Sequence, residues 1–181
     1  MRSYTFEGIV LKHFNLGETD QIITFFTRDH GKISLLAKGV RKITSKRAGS
    51  LDLFSLVRAA AVSGRGQLDT LTEVQLLTAH QNWKKHLGRI ALAYQLCEIV
   101  DKLTPDNQPH PQVFDILHSS LSQIGELDIN WKDEIACWIL DIVKELGYWP
   151  KNQDFSGDIY QLVESLAQRP LQSPKLMEKL K

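Results

Sequence analysis

Gln21-Ile22-Ile23-Thr24-Phe25-Phe26-Thr27 runs into Arg28-Asp29-His30-Gly31 and then into Lys32-Ile33-Ser34-Leu35-Leu36-Ala37. The first segment is rich in β-branched and aromatic residues, which suit a pleated, half-buried surface. The second is a turn, with Gly31 free to take positive φ. The third alternates, placing Ile33, Leu35 and Ala37 on one face. The three together predict a β-hairpin. Upstream, Phe6-Glu7-Gly8-Ile9-Val10-Leu11 predicts a strand that breaks at Asn15-Leu16-Gly17-Glu18. Downstream, residues 51–62 read as one long strand, Ser63-Gly64-Arg65-Gly66 as a turn, and residues 67–75 as a last strand. Five strands within 80 residues predict a small closed barrel. Periodicity alone does not separate an OB-fold from other small barrels.

Past residue 80 the apolar period lengthens to that of an α-helix. Trp83, Leu87, Ile90, Tyr94 and Cys97 make one stripe, and Leu92, Leu96, Ile99 and Leu103 a second. Two stripes predict a helix covered on much of its circumference, at the centre of a bundle. Pro111 suits the first turn of a second helix facing inward through Val113, Phe114, Leu117, Leu121 and Ile124, with Gly125 as its C-terminal cap. A third helix, capped by Asn130, buries Ile135, Trp138, Ile139, Ile142, Val143 and Leu146 and stops at Gly147 and Pro150. Two weaker helices centre on Ile159, Leu162, Val163 and Leu166, and start near Pro174. The expected class is α+β with two domains: a five-stranded barrel over 1–80 and an α-helical domain over 81–181.

Composition excludes several functions. The 181 residues are 43% hydrophobic and 24% charged, as in an ordinary globular chain. No apolar run reaches the ~18 residues of a membrane span. The first residues show no secretory signal, so a soluble cytoplasmic protein without a membrane partner is expected. Two cysteines, Cys97 and Cys137, rule out a disulfide scaffold and a four-cysteine zinc site. Both fall among apolar helix positions, which predicts small buried thiols. There is no phosphate-binding glycine loop, no HExxH and no GxSxG turn. The pair Glu18 and Asp20 reads as a turn, and the chain is expected not to be an enzyme.

The formal net charge of +1 conceals an asymmetry. Residues 1–80 hold 11 Lys and Arg against 7 Asp and Glu, whereas the remainder holds 11 against 14. Lys38-Gly39-Val40-Arg41-Lys42-Ile43-Thr44-Ser45-Lys46-Arg47 carries five cations and no acid. Like charges so close repel one another, so an anionic partner favours the ordered loop. A solvated loop is the alternative reading; Lys38, Arg41, Lys42, Lys46 and Arg47 are the candidate anion contacts, with Arg28 and Arg65 as weaker ones. Phe25 and Phe26 are candidates for base stacking, with core packing the preferred role.

Several words in the chain, taken in order, resemble the RecO family of bacterial recombination mediators. They are Gly8-Ile9-Val10-Leu11, Leu16-Gly17-Glu18-Thr19-Asp20, Thr27-Arg28-Asp29-His30-Gly31-Lys32 and Ala37-Lys38-Gly39-Val40-Arg41-Lys42. Ser45, Leu51, Phe54 and Leu56, then Gly64-Arg65-Gly66 and Leu71-Thr72-Glu73, continue the likeness. Arg169-Pro170-Leu171-Gln172-Ser173 resembles the family's closing Arg-Pro-Leu-x-Ser pattern. The resemblance implies an N-terminal OB-fold and a helical C-terminal domain. It implies a DNA repair and recombination mediator that binds single- and double-stranded DNA and anneals complementary strands. With RecR, such proteins help load RecA onto DNA coated by single-stranded-DNA-binding protein, which places them at the nucleoid.

Two departures stand out. Many members carry a four-cysteine zinc ribbon after the segment matching Leu146-Gly147-Tyr148-Trp149-Pro150, where this chain reads Lys151-Asn152-Gln153-Asp154. The chain is also shorter than most members, the loss falling in that region. No metal or other cofactor is therefore expected. The acidic tail of single-stranded-DNA-binding protein, which the resemblance implies as a partner, needs an apolar groove with cations on its rim. Lys84, Lys85 and Arg89, beside Trp83, Leu87 and Ile90, are the expected site, with Arg169 and Lys175 as the second choice. An OB-fold RNA-binding or ribosome-associated module would use the same basic loop on RNA. A protein-interaction scaffold would leave that loop solvated. Strand annealing separates the three readings.

Overall fold

The computed structural model describes residues 3–42, 48–64, 66–127 and 131–173. Five strands form a closed barrel in the order β1-β2-β3-β5-β4. They are β1 (Ser3–Leu16), β2 (Asp20–Thr27), β3 (Gly31–Ala37), β4 (Leu56–Val62) and β5 (Asp69–Thr78). Closure depends on the length of β1. Its first half pairs antiparallel with β4, from Ser3↔Val62 to Ile9↔Leu56. Its second half pairs with β2, ending at Leu16↔Asp20, with a bulge between Val10 and Lys12 that bends the strand from one partner to the other. A short parallel pairing, Leu35↔Asp69 and Leu36↔Thr70, joins β3 to β5. This is the OB-fold topology. Phe6, Val10, Ile23, Phe25, Ile33, Leu35, Val57 and Leu71 fill the interior, where Phe6 and Phe25 meet edge to face at 5.3 Å.

The β2–β3 hairpin forms as its residues predict. Gly31 has φ +70, and the Thr27 hydroxyl both donates to the Gly31 carbonyl at 2.8 Å and accepts from the His30 N–H at 3.0 Å. Residues 51–55 differ from the expectation, because β4 begins only at Leu56. Leu51 and Phe54 are buried, as strand residues would be. The backbone there is nevertheless a turn, with Phe54 at φ +69 and the Ser55 N–H bonded to the Asp52 carbonyl. Phe54 N–H donates to the Val10 carbonyl, and Val10 N–H donates to the Ser55 carbonyl. The turn thus satisfies the Val10 backbone, one residue past the last β1–β4 pair.

The chain divides into two compact units, Met1–Ala79 with Asp106–Pro111, and His80–Pro105 with Gln112–Lys181. The inserted segment works as a strap on the barrel. Asn107 N–H donates to the Lys32 carbonyl at 2.9 Å, and Lys32 pairs with Asp106 at 3.4 Å. At Gly31 the strap lies so close that a Cβ would come within 2.1 Å of the Gln108 carbonyl oxygen. Glycine is thus required there by contact as well as by φ.

The second unit contains α1 (Leu87–Leu103), α2 (Pro111–Gln123), α3 (Trp131–Glu145) and α4 (Ile159–Ala167). α1 touches α3, α4 and a 3-10 turn at Ile124–Glu126, and residues on several of its faces, from Ala91 to Leu103, are buried. The first stripe is only partly as expected. Residues 81–85 are a turn, and Leu87 and Tyr94 are exposed. Trp83 is fully buried and its indole N–H donates to the Leu121 carbonyl at 2.9 Å. It is an anchor before the helix rather than a member of its face. The inward face of α2 is buried as predicted, whereas Gly125 lies inside the 3-10 turn. α3 ends at Gly147, with φ +80 and paired bonds from Gly147 N–H to Lys144 O and Tyr148 N–H to Val143 O. Cys97 is buried, but Cys137 is exposed, contrary to the expectation for both. Asn130, and the helix expected from Pro174, lie outside the described residues.

The closing Arg-Pro-Leu-Gln-Ser segment folds back on α1. Glu98 accepts the N–H groups of Gln172 and Ser173, each at 2.8 Å, and pairs with Lys102 at 3.0 Å. Burial alone would raise the Glu98 carboxyl, but these bonds outweigh it and hold the group below the ordinary carboxylate range. Leu171 is buried, its N–H held by Glu164.

Candidate nucleic-acid interface

The loop after β3 is built on a contact between two of the words noted in the sequence. Gly39 has φ +65, which lets its N–H turn inward onto the Asp20 carboxylate at 2.7 Å. Asp20 also accepts the Thr19 hydroxyl at 2.9 Å. The Gly39 N–H first and then the Thr19 hydroxyl outweigh desolvation, and the weaker charges of Lys38 and Lys42 add to them, so the Asp20 carboxyl is held below its ordinary range. Arg41 N–H donates to the Thr19 carbonyl at 2.9 Å, and its guanidinium to the Gly17 carbonyl at 3.0 Å. Between them Val40 is 2% exposed and completes the barrel interior. The β1–β2 turn therefore clamps the loop base, and Lys38, Arg41 and Lys42 are exposed on it.

The other expected cations are not gathered there. Arg28 is exposed in the β2–β3 turn, at the end of the hairpin opposite the loop. The eight residues of β2 separate the two ends, roughly 25 Å at ~3.3 Å per residue. Lys46, Arg47 and Arg65 lie outside the described residues. Phe25 and Phe26 are fully buried, which removes them as stacking surfaces.

The exposed aromatic is one that the sequence reading missed. Phe14 is 65% exposed, on the outer face of β1 with Leu16. Its register partners are Ile22 on β2 and, beyond it, Leu36 on β3. Lys12, also exposed, lies one row along the same face. The Lys12-x-Phe14-x-Leu16 alternation carried this signal, but reading a break at residue 15 hid the second half of the strand.

In the helical unit, Arg89 lines a groove of about 310 Å³ with His86, Gly88, Leu92, Leu127 and Trp131. Of the three cations expected to act together, Arg89 is the one at this groove. Lys84 and Lys85 lie on the turn before α1. The apolar wall is Leu92, Leu127 and Trp131, not Trp83, Leu87 and Ile90. The residues do not fit a zinc ribbon. Cys97 is buried in α1, Cys137 stands alone on α3, and no group of three His, Cys, Asp or Glu capable of holding a metal occurs among the described residues. No helix among those residues is long and apolar enough to cross a membrane.

Fold and surface define an OB-fold protein with cations raised on a clamped loop, continued in sequence by a helical unit. Residues 1–80 match the family described as Recombination protein O N terminal, and residues 85–154 match Recombination protein O C terminal. The chain belongs to the RecO family. It is 34% identical over 150 residues to the DNA repair protein RecO of Symbiobacterium thermophilum, covering 83% of this chain and 59% of that one. With the protein of the same name from Thermoanaerobacter sp. it is 32% identical over 151 residues, covering 83% and 60%. The Rhodopirellula baltica protein of that name is 36% identical over 122 residues, covering 67% and 44%. The chain thus spans about three fifths or less of these relatives' length.

Proposed function

We propose that the chain is a DNA repair and recombination mediator that binds single- and double-stranded DNA through the loop after β3 and anneals complementary strands. Exposure of Lys38, Arg41 and Lys42 on a loop base clamped by Asp20 and Thr19 carries this reading. Phosphate neutralisation supplies most sequence-independent affinity, and a clamped base lowers the backbone part of the ordering cost at binding. Annealing needs no catalytic group, only two strands held close with their charge screened and bases free to pair. Lys46 and Arg47, next in sequence, are further phosphate contacts, and Arg28 and Arg65 are secondary ones. In the helical unit the Arg89 groove suits a short acidic tail with apolar end residues, such as that of single-stranded-DNA-binding protein, with Lys84 and Lys85 on its approach. RecR and, through it, RecA complete the set of partners, at the nucleoid.

The test is oligonucleotide binding and annealing across a salt series, with and without a coat of single-stranded-DNA-binding protein. Five single-strand phosphate contacts give a log–log salt slope of about −3.5, at ~0.7 per contact. The Lys42→Ala/Lys46→Ala/Arg47→Ala variant should reduce that slope by about 2 and slow annealing, with Tm unchanged. Arg41 is left in place because its guanidinium also braces the β1–β2 turn. An unchanged slope would reject the loop as the DNA contact.

A further inference from the structure

We infer that Phe14 is a base-stacking platform for single-stranded DNA, so that the outer face of β1–β2–β3 reads bases while the adjoining loop holds phosphates. This rests on the DNA-binding reading above and specifies which form of DNA that surface prefers. Phe14 is 65% exposed and Leu16 43% exposed, whereas Phe6, Phe25, Phe26 and Phe54 are all buried. Among its described residues the barrel therefore leaves one large aromatic ring in water although its interior takes others. Cross-strand pairing places that ring on a floor of Ile22 and Leu36, both half-buried. Leaving such a face open costs solvation that a stacked base would recover, because every base has an apolar π face.

Charge decides between a nucleic acid and another occupant. Lys12 flanks the ring two residues along the same face of β1. At the other end of the row, β1 passes through Leu16 to Gly17, whose carbonyl holds the Arg41 guanidinium. Gly17 lies three residues on from Phe14, about 10 Å of extended chain at ~3.3 Å per residue. A single strand running along β1 would meet a cation, an aromatic ring and a second cation within a few nucleotides. A duplex keeps its bases stacked on one another and would gain only the cations, so the ring confers preference for single strands.

The test compares wild type, Phe14→Ala, Phe14→Leu and Phe14→Trp in binding labelled oligo-dT and a labelled duplex of equal length. Phe14→Ala should weaken oligo-dT binding about tenfold, the scale of losing one stacked base. Phe14→Leu should lose nearly as much, since it keeps the apolar area without the π face, and Phe14→Trp should bind as wild type or tighter. Duplex affinity, the salt slope and Tm should stay unchanged in all three. Wild-type oligo-dT affinity in Phe14→Ala overturns the stacking role, while an intact salt slope would leave the loop assignment standing. A wild type that binds neither DNA removes both. Loss of a dimer in sedimentation of Phe14→Ala, without loss of oligo-dT binding, overturns the inference in favour of a contact between copies.

Discussion

Val40 is a buried residue among exposed cations, and it explains why the loop after β3 has a fixed base. Its side chain enters the barrel while Gly39 and Arg41 bond to the β1–β2 turn. Both words were visible in the sequence, but nothing in a linear string says that Asp20 and Gly39 touch. Hydrogen bonds of that range are set by barrel closure. Exposure was legible for Lys38 and Lys42, whose charge keeps them in water. It was not legible for Phe14, because an aromatic residue is expected inside and only cross-strand register shows which face it takes. His80 makes a different case at this scale. It is 6% exposed and stacks on Trp83 at 5.6 Å, and its Nε2 has no hydrogen-bond partner among the described residues. Burial first, then the charges of Lys84 and His118, pushes its pKa down from 6.5 to about 4. The unfolded chain takes up a proton below 6.5 that the folded one refuses until about pH 4. Stability linked to His80 is therefore present above 6.5 and lost as pH falls through that window. The urea midpoint should drop more steeply across it in wild type than in His80→Asn, since Asn tolerates the left-handed backbone found here, φ +53. Parallel profiles would show that other groups carry the acid sensitivity.

Among the elements, the 169–173 segment and α1 form the unit most open to a single test. Glu98 receives two backbone N–H groups and a lysine. Removing it strands those donors, and charge-assisted hydrogen bonds contribute ~1.5–3 kcal/mol each. Glu98→Ala should therefore lower stability by about 2 kcal/mol, read as a shift in urea midpoint, and speed amide exchange at Gln172 and Ser173. Glu98→Gln should fall between, and unchanged exchange in Glu98→Ala would show that Leu171 burial alone docks the segment. The elements that sequence predicted well are those whose signals are local. The β2–β3 hairpin has its glycine and its alternation, α2 its proline and its inward face, and α3 its terminal glycine. Residues 51–55 were misread because Leu51 and Phe54 supply strand-like burial while Asp52 turns the backbone. The start of α1 was misread because Trp83 fits the helical period by chance and is buried by a tertiary bond to Leu121 instead.

At the scale of the whole molecule, the basic and acidic halves seen in composition are a barrel with exposed cations on the loop after β3 and a helical unit with an Arg89-rimmed groove. The chain has two cysteines, one buried and one exposed, too few for a four-cysteine zinc ribbon. Purified protein should carry zinc far below one atom per chain, and EDTA should leave Tm unchanged. Stoichiometric zinc that survives chelation would reveal a histidine-based site. The strap at Asp106–Pro111 bears on how the molecule is made. Its barrel contacts, at Gly31 and Lys32, join residues that leave the ribosome far apart in time. The fifth strand ends at Thr78, and all of α1 must follow before Gln108 emerges. At ~5–20 residues per second that interval is on the order of seconds. A nascent barrel must therefore wait, its β3 edge uncovered, until part of the helical unit has been synthesised. A fragment cut at residue 80 would stay in that unfinished state permanently.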